Sequence, residues 1–112
     1  MNQFDHERLD VYQVGLEFVG LADEIVEKLP EGRGYLADQL SRASLSIVLN
    51  TAEGAGEFSK QEKARFYRMA SRSATESAAL LDVCRKLKLA EDKPLKEGRE
   101  LLLRIVSMLI KM

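Results

Sequence analysis

Residues 35–62 read YLADQLSRASLSIVLNTAEGAGEFSKQE, and their spacing decides the fold. Leu36, Leu40, Ala43 and Ile47 recur every three or four residues, so they line one side of an α-helix; Asn50 and Gly54 continue the line. Gly54-Ala55-Gly56 then reads as a helix stop, because glycine enters the left-handed cap conformation without a steric penalty. Ser59-Lys60-Gln61-Glu62 has the S-x-x-E spacing of a capping box, in which Ser59 accepts from the Glu62 N–H and the Glu62 carboxylate reaches back. One helix therefore ends near residue 54 and the next starts at residue 59. Helix follows helix, with no strand between.

The same periodicity extends in both directions. Val11, Val14, Phe18, Leu21, Ile25 and Leu29 predict a helix over residues 8–29, broken by Pro30 and by Gly32 and Gly34. Phe66, Ala70, Ser73, Ser77, Leu80, Cys84 and Leu87 predict the inner face of a helix over 59–88. Asp92 suits a cap and Pro94 a first turn; Leu95, Leu102, Ile105, Leu109 and Met112 predict a fourth helix over 93–111. Short connections favour antiparallel neighbours. The expected fold is all-α: an antiparallel up-down-up-down four-helix bundle forming a single domain over residues 1–112.

Composition supports a packed core and narrows the function classes. The chain is 46% hydrophobic and 31% charged, ordinary globular usage. No apolar run approaches the roughly 18 residues of a membrane span, so no membrane role is expected. The N-terminal sequence lacks the basic and apolar segments of a signal peptide, and the lone Cys84 cannot form an internal disulfide; a cytoplasmic location follows as the expectation. The net charge of −1 hides an asymmetry. Residues 5–29 carry seven acids against two bases, whereas residues 59–88 carry eight bases against three acids. One helix is acidic and another basic.

The second helix is apolar on two sides. Leu45, Val48, Leu49 and Ala52 fall roughly opposite its core stripe, and Leu101, Leu103, Met108 and Ile110 widen the apolar arc of the fourth helix. Apolar surface this broad on two helices marks an oligomer interface. The partner expected from it is a second copy of the chain.

Residue types that carry chemistry are sparse. A di-iron bundle needs paired Glu-x-x-His motifs, and the one histidine, His6, stands alone near the N-terminus. Cys84 lies in an apolar pattern with no base in sequence reach, and Gly54-Ala55-Gly56 follows no strand, so neither a nucleophile nor a phosphate-cradling loop is expected. No catalytic residue, metal, cofactor or small-molecule substrate is predicted. Two constellations stand out. Arg42, Asn50, Glu53, Ser73 and Glu76 lie on or beside core stripes, where polar groups must bond one another; they predict a structural polar cluster that fixes helix register. Arg65, Arg68 and Arg72, with Lys60 and Lys63 before them, make a basic stripe suited either to nucleic-acid phosphates or to the acidic first helix.

Residues 39–54, QLSRASLSIVLNTAEG, and residues 70–76, ASRSATE, carry a family resemblance. The chain resembles the four-helix-bundle proteins encoded in intervening sequences of bacterial 23S ribosomal RNA genes, from about Leu9 to Leu109. Arg42, Asn50, Glu53, Gly54, Ser73 and Glu76 match the family pattern; Thr51 departs from it, standing where an apolar residue is usual. The resemblance implies a non-enzymatic bundle that assembles as a ring, a homopentamer. The accessory variability determinant of diversity-generating retroelements has a similar fold and is a basic pentamer that binds RNA and a reverse transcriptase. The slight negative charge of the present chain departs from that pattern.

Overall fold

The computed structural model of the protein describes residues 3–112. It contains α1 (Asp10–Glu27), α2 (Gly34–Ala55), α3 (Lys60–Lys86) and α4 (Asp92–Ile110), preceded by a 3-10 turn at Asp5–Arg8. That turn absorbs the start predicted for the first helix. The His6 ring stacks on Phe4 and meets the edge of Tyr12, with centroids 5.7 and 4.6 Å apart.

At the head of α3 the Glu62 N–H donates to Ser59 Oγ at 3.0 Å, half of the expected capping box. The other half is absent because the Glu62 carboxylate accepts from Arg65 Nε at 2.7 Å instead. The α2 stop also differs from expectation. Gly54 remains helical, and the C-cap Gly56 has φ −84°, a right-handed value. At α4 the N-cap is Glu91, without a side-chain hydrogen bond, and Asp92 is the first helical residue. The end of α3 has a motif with no glycine in it. Lys88 adopts φ 57°, its N–H donates to the Arg85 carbonyl at 3.1 Å, and the Leu89 N–H reaches back to the Cys84 carbonyl at 2.9 Å. This is the paired hydrogen bonding of a Schellman cap.

The helices close around one core in which Phe18, Leu40, Ile47 and Ile105 lose essentially all contact with solvent. From α3 that core takes Tyr67, Ala74 and Leu81 besides the expected Ala70, Leu80 and Cys84; the expected Phe66 and Ser73 are only half-buried, outside the core, and Leu87 is exposed at the cap. Thr51 and Ser77 are equally buried. Their hydroxyls donate to the Ile47 carbonyl at 2.7 Å and the Ser73 carbonyl at 2.9 Å, one turn back along each helix. Thr51 can therefore hold an otherwise apolar position, since its hydroxyl is satisfied by its own helix. Packing joins α1 to α2 and α4, and α3 to the same two helices. Acidic α1 and basic α3 sit at opposite corners of a bundle measuring 44 × 26 × 21 Å. No helix among the described residues is long and apolar enough to cross a membrane.

Candidate functional site

The five residues predicted as a polar cluster separate. Asn50 Nδ2 donates to both the carbonyl and the hydroxyl of Ser46, each at 2.9 Å, and Ser73 Oγ donates to Ser46 Oγ at 2.7 Å across the α2–α3 seam. Arg42, Glu53 and Glu76 lie exposed, and no ion pair joins them within 4 Å. The cause is angular. A narrow polar line of α2, formed by Arg42, Ser46 and Glu53 between its two apolar sides, turns its small member, Ser46, toward α3, while the longer charged side chains extend into water, where ionised groups keep their hydration. Ser46, absent from the predicted cluster, is the hub.

The basic stripe is also partly committed. Lys63 Nζ donates to the Gly54 and Ala55 carbonyls, at 3.3 and 3.0 Å, and so caps the end of α2. Arg65 bonds Glu62 and covers the Phe66 ring at 4.6 Å. The hydrogen bond to Glu62 holds its pKa above the ordinary arginine value. Lys60, Arg68 and Arg72 are exposed and have no carboxylate within ion-pair distance among the described residues. On the outer face of α3 they point away from α1, which lies diagonally across the bundle with no close backbone approach to α3.

The two broad apolar faces are narrower than expected but persist. Leu45 is 48% exposed, Leu49 58%, Leu103 58% and Ile110 76%. Val48, expected on the outer face, is buried against α1, where a Cβ added at Gly15 would lie 2.8 Å from Val48 Cγ1. Glycine there lets α1 slide over Val48 and cover it. Ala52, Leu101 and Met108 are half-buried, the last two against the core. Gly54 has the matching role on the other side of α2: an added Cβ would stand 2.6 Å from Tyr67 Cε1. The sequence signal for these close approaches was a glycine inside a helical pattern. Its direction could not be read without the neighbouring helix.

Reactive groups are few. Burial pushes the Cys84 thiol up from its ordinary pKa, which keeps it protonated and weakly nucleophilic. Among the described residues no group of His, Cys, Asp and Glu is arranged to hold a metal ion.

A model of the 23S rRNA-intervening sequence protein family matches residues 7–111. The chain belongs to that family. No curated protein matches it. Among solved structures, this intervening-sequence protein is similar to a protein of unknown function from the S23 ribosomal protein family of Bacteroides thetaiotaomicron VPI-5482. The TM-score is 0.83 at 18% identity, covering 90% of this chain and 95% of that one. The likeness establishes the four-helix fold. Of the residues that carried the family resemblance, Asn50, Gly54 and Ser73 lie along the α2–α3 seam, and Arg42, Glu53 and Glu76 project outward from it.

Proposed function

We propose that this intervening-sequence protein is a non-enzymatic subunit of a homo-oligomer, the ring of five that its family resemblance implies. The observation that carries the reading is the exposure of Leu45 and Leu49 on α2 and of Leu103 and Ile110 on α4. Full burial of such a side chain is worth about 1.5–3 kcal/mol, and association recovers part of the share that these half- to three-quarters-exposed residues leave in water. The buried, protonated Cys84 and the ring-packed His6 support a non-catalytic role, and a free thiol suits the reducing cytoplasm. Sedimentation velocity tests the proposal. The parent chain is expected to sediment as an oligomer, and Leu49→Glu to shift it toward monomer. A monomeric parent would reject the reading.

Nucleic-acid contact is the second reading, favoured by the exposure of Lys60, Arg68 and Arg72. A ring repeats these bases once per subunit, and multivalency raises affinity for a polyanion. Binding of this kind weakens steeply with salt as counterions are released, and Arg68→Gln with Arg72→Gln flattens that dependence. Salt-independent RNA retention would count against it.

A further inference from the structure

Gly20 sits mid-way along α1 on its exposed side, and a Cβ added there would meet nothing within 4 Å. No positive φ requires glycine at this position. A glycine inside a helix is destabilising by roughly 0.5–1 kcal/mol relative to alanine. Nothing within the protomer offsets that penalty, unlike at Gly15 and Gly54, where a neighbouring side chain fills the space. The usual use of such a glycine is close approach by another backbone or side chain. Nothing in the protomer approaches Gly20, so its open side is free to receive a group from outside.

The surroundings describe what would approach. Gly20 floors a trough of about 300 Å³ between α1 and α2, with Val19, Ser41 and Leu45 among its walls. Along α1 the row through Gly20 starts at exposed Leu16 and runs into Asp23, Glu24 and Glu27 toward the C-terminus. It is apolar first, then acidic. On the opposite face of the bundle, one side of α4 carries the reverse order: Lys96 and Arg99, with exposed Glu100 beside them, then Leu103 and Ile110, at i, i+3, i+7 and i+14. Lys96 and Arg99 line a cleft against α3 and have no carboxylate within ion-pair distance among the described residues.

We infer that the α1–α2 trough is the seat for the outer ridge of α4 from a second copy of this chain. The inference rests on the self-assembly proposed above and assigns its two mating surfaces. Laid antiparallel, the two rows match: acids of α1 against bases of α4, and Leu16 with the open floor at Gly20 against Leu103 and Ile110. The spacings agree, since Gly20 to Glu27 and Lys96 to Leu103 each span seven residues, about 10.5 Å of helix. Within one protomer α1 and α4 are already antiparallel. A second copy turned only about an axis parallel to the bundle therefore presents α4 in the required direction. Such a contact joins different patches on the two partners, so it propagates head to tail and closes into a ring where the rotation permits.

Two substitutions away from the core test this. Gly20→Leu fills the trough and leaves the ridge intact; Leu103→Glu breaks the ridge and leaves the trough intact. Each variant alone is expected to lose association by on the order of 30-fold, the effect of removing a central interface residue, while thermal unfolding shows Gly20→Leu at least as stable as the parent protomer. Mixed one to one, the two variants are expected to form a heterodimer and nothing larger, because together they hold one intact trough and one intact ridge. If Gly20→Leu assembles like the parent while Leu49→Glu does not, self-association stands and the trough is not its seat. A mixture that stays monomeric also overturns the pairing. A parent chain that is itself monomeric ends both proposals.

Discussion

The ends of α2 and α3 invert the usual relation between glycine and helix termination. At α2 two glycines are present and neither is left-handed: Gly54 is packed under Tyr67, and Gly56 keeps φ −84°. The terminal carbonyls are satisfied by Lys63 Nζ instead. At α3 no glycine is present, yet Lys88 takes φ 57° and completes a Schellman cap, with the following Leu89 packed on the core. For a residue with a Cβ the left-handed region costs roughly 1–2 kcal/mol. Fully burying a leucine side chain is worth about 1.5–3 kcal/mol, so half-buried Leu89 recovers a part of that, of the same order as the cost. Cap geometry is thus set by where the next side chain must go, and the glycines of α2 are there for packing.

The contrast can be broken most forcefully at Gly54. Gly54→Ala places a methyl 2.6 Å from Tyr67 Cε1, and overpacking of this kind is expected to destabilise by about 1–3 kcal/mol in urea unfolding. A stability gain, as helix propensity alone predicts, would show that the seam can open. Two opposite exchanges sharpen the comparison. Lys88→Gly relieves the left-handed backbone, and Gly56→Ala removes unfolded-state freedom at a right-handed position where the nearest neighbours stand at 3.7 and 3.8 Å. Gly56→Ala is expected to raise stability by about 0.4–1 kcal/mol, and Lys88→Gly by up to about 1 kcal/mol, the roughly 1–2 kcal/mol of relieved backbone strain less the freedom that glycine adds to the unfolded chain. The smallest effect belongs to Arg42→Ala. With the guanidinium exposed and unpaired to Glu76, the change is expected to stay within about 0.5 kcal/mol. A loss of several kcal/mol would mean that Arg42 is buried in an assembled form.

What the sequence made legible follows from the range over which each signal acts. The four helices and their order were readable because apolar spacing along a helix is a local property, as was the Ser59 cap three residues from its partner. The outward leucines Leu45, Leu49 and Leu103 were readable for the same reason. What failed depended on a second helix. Val48 was assigned outside because nothing in residues 35–54 says that α1 reaches it over Gly15. Arg42 and Glu53 are expected in the cluster because the angular line of α2 does not reveal which of its members is short enough to face a neighbour, and Glu76 because a place beside the α3 stripe does not say which way a long charged side chain extends. Gly54 misleads through residue type alone, because a glycine near a helix end has two uses. The left-handed cap at Lys88 has no residue-type signal at all and needs Leu89 to explain it.

The placement of α1 and α3 at opposite corners gives the protomer an electrical orientation that its net charge of −1 conceals. Opposite charge on opposite edges makes a transverse dipole, perpendicular to the 44 Å long axis. At physiological ionic strength the screening length is about 8 Å, well below the 21 and 26 Å widths of the bundle. The field is therefore nearly silent at a distance and does little to hasten diffusion toward a charged surface. It acts in the last layer of water, as a torque that turns an arriving molecule about its long axis before side chains touch.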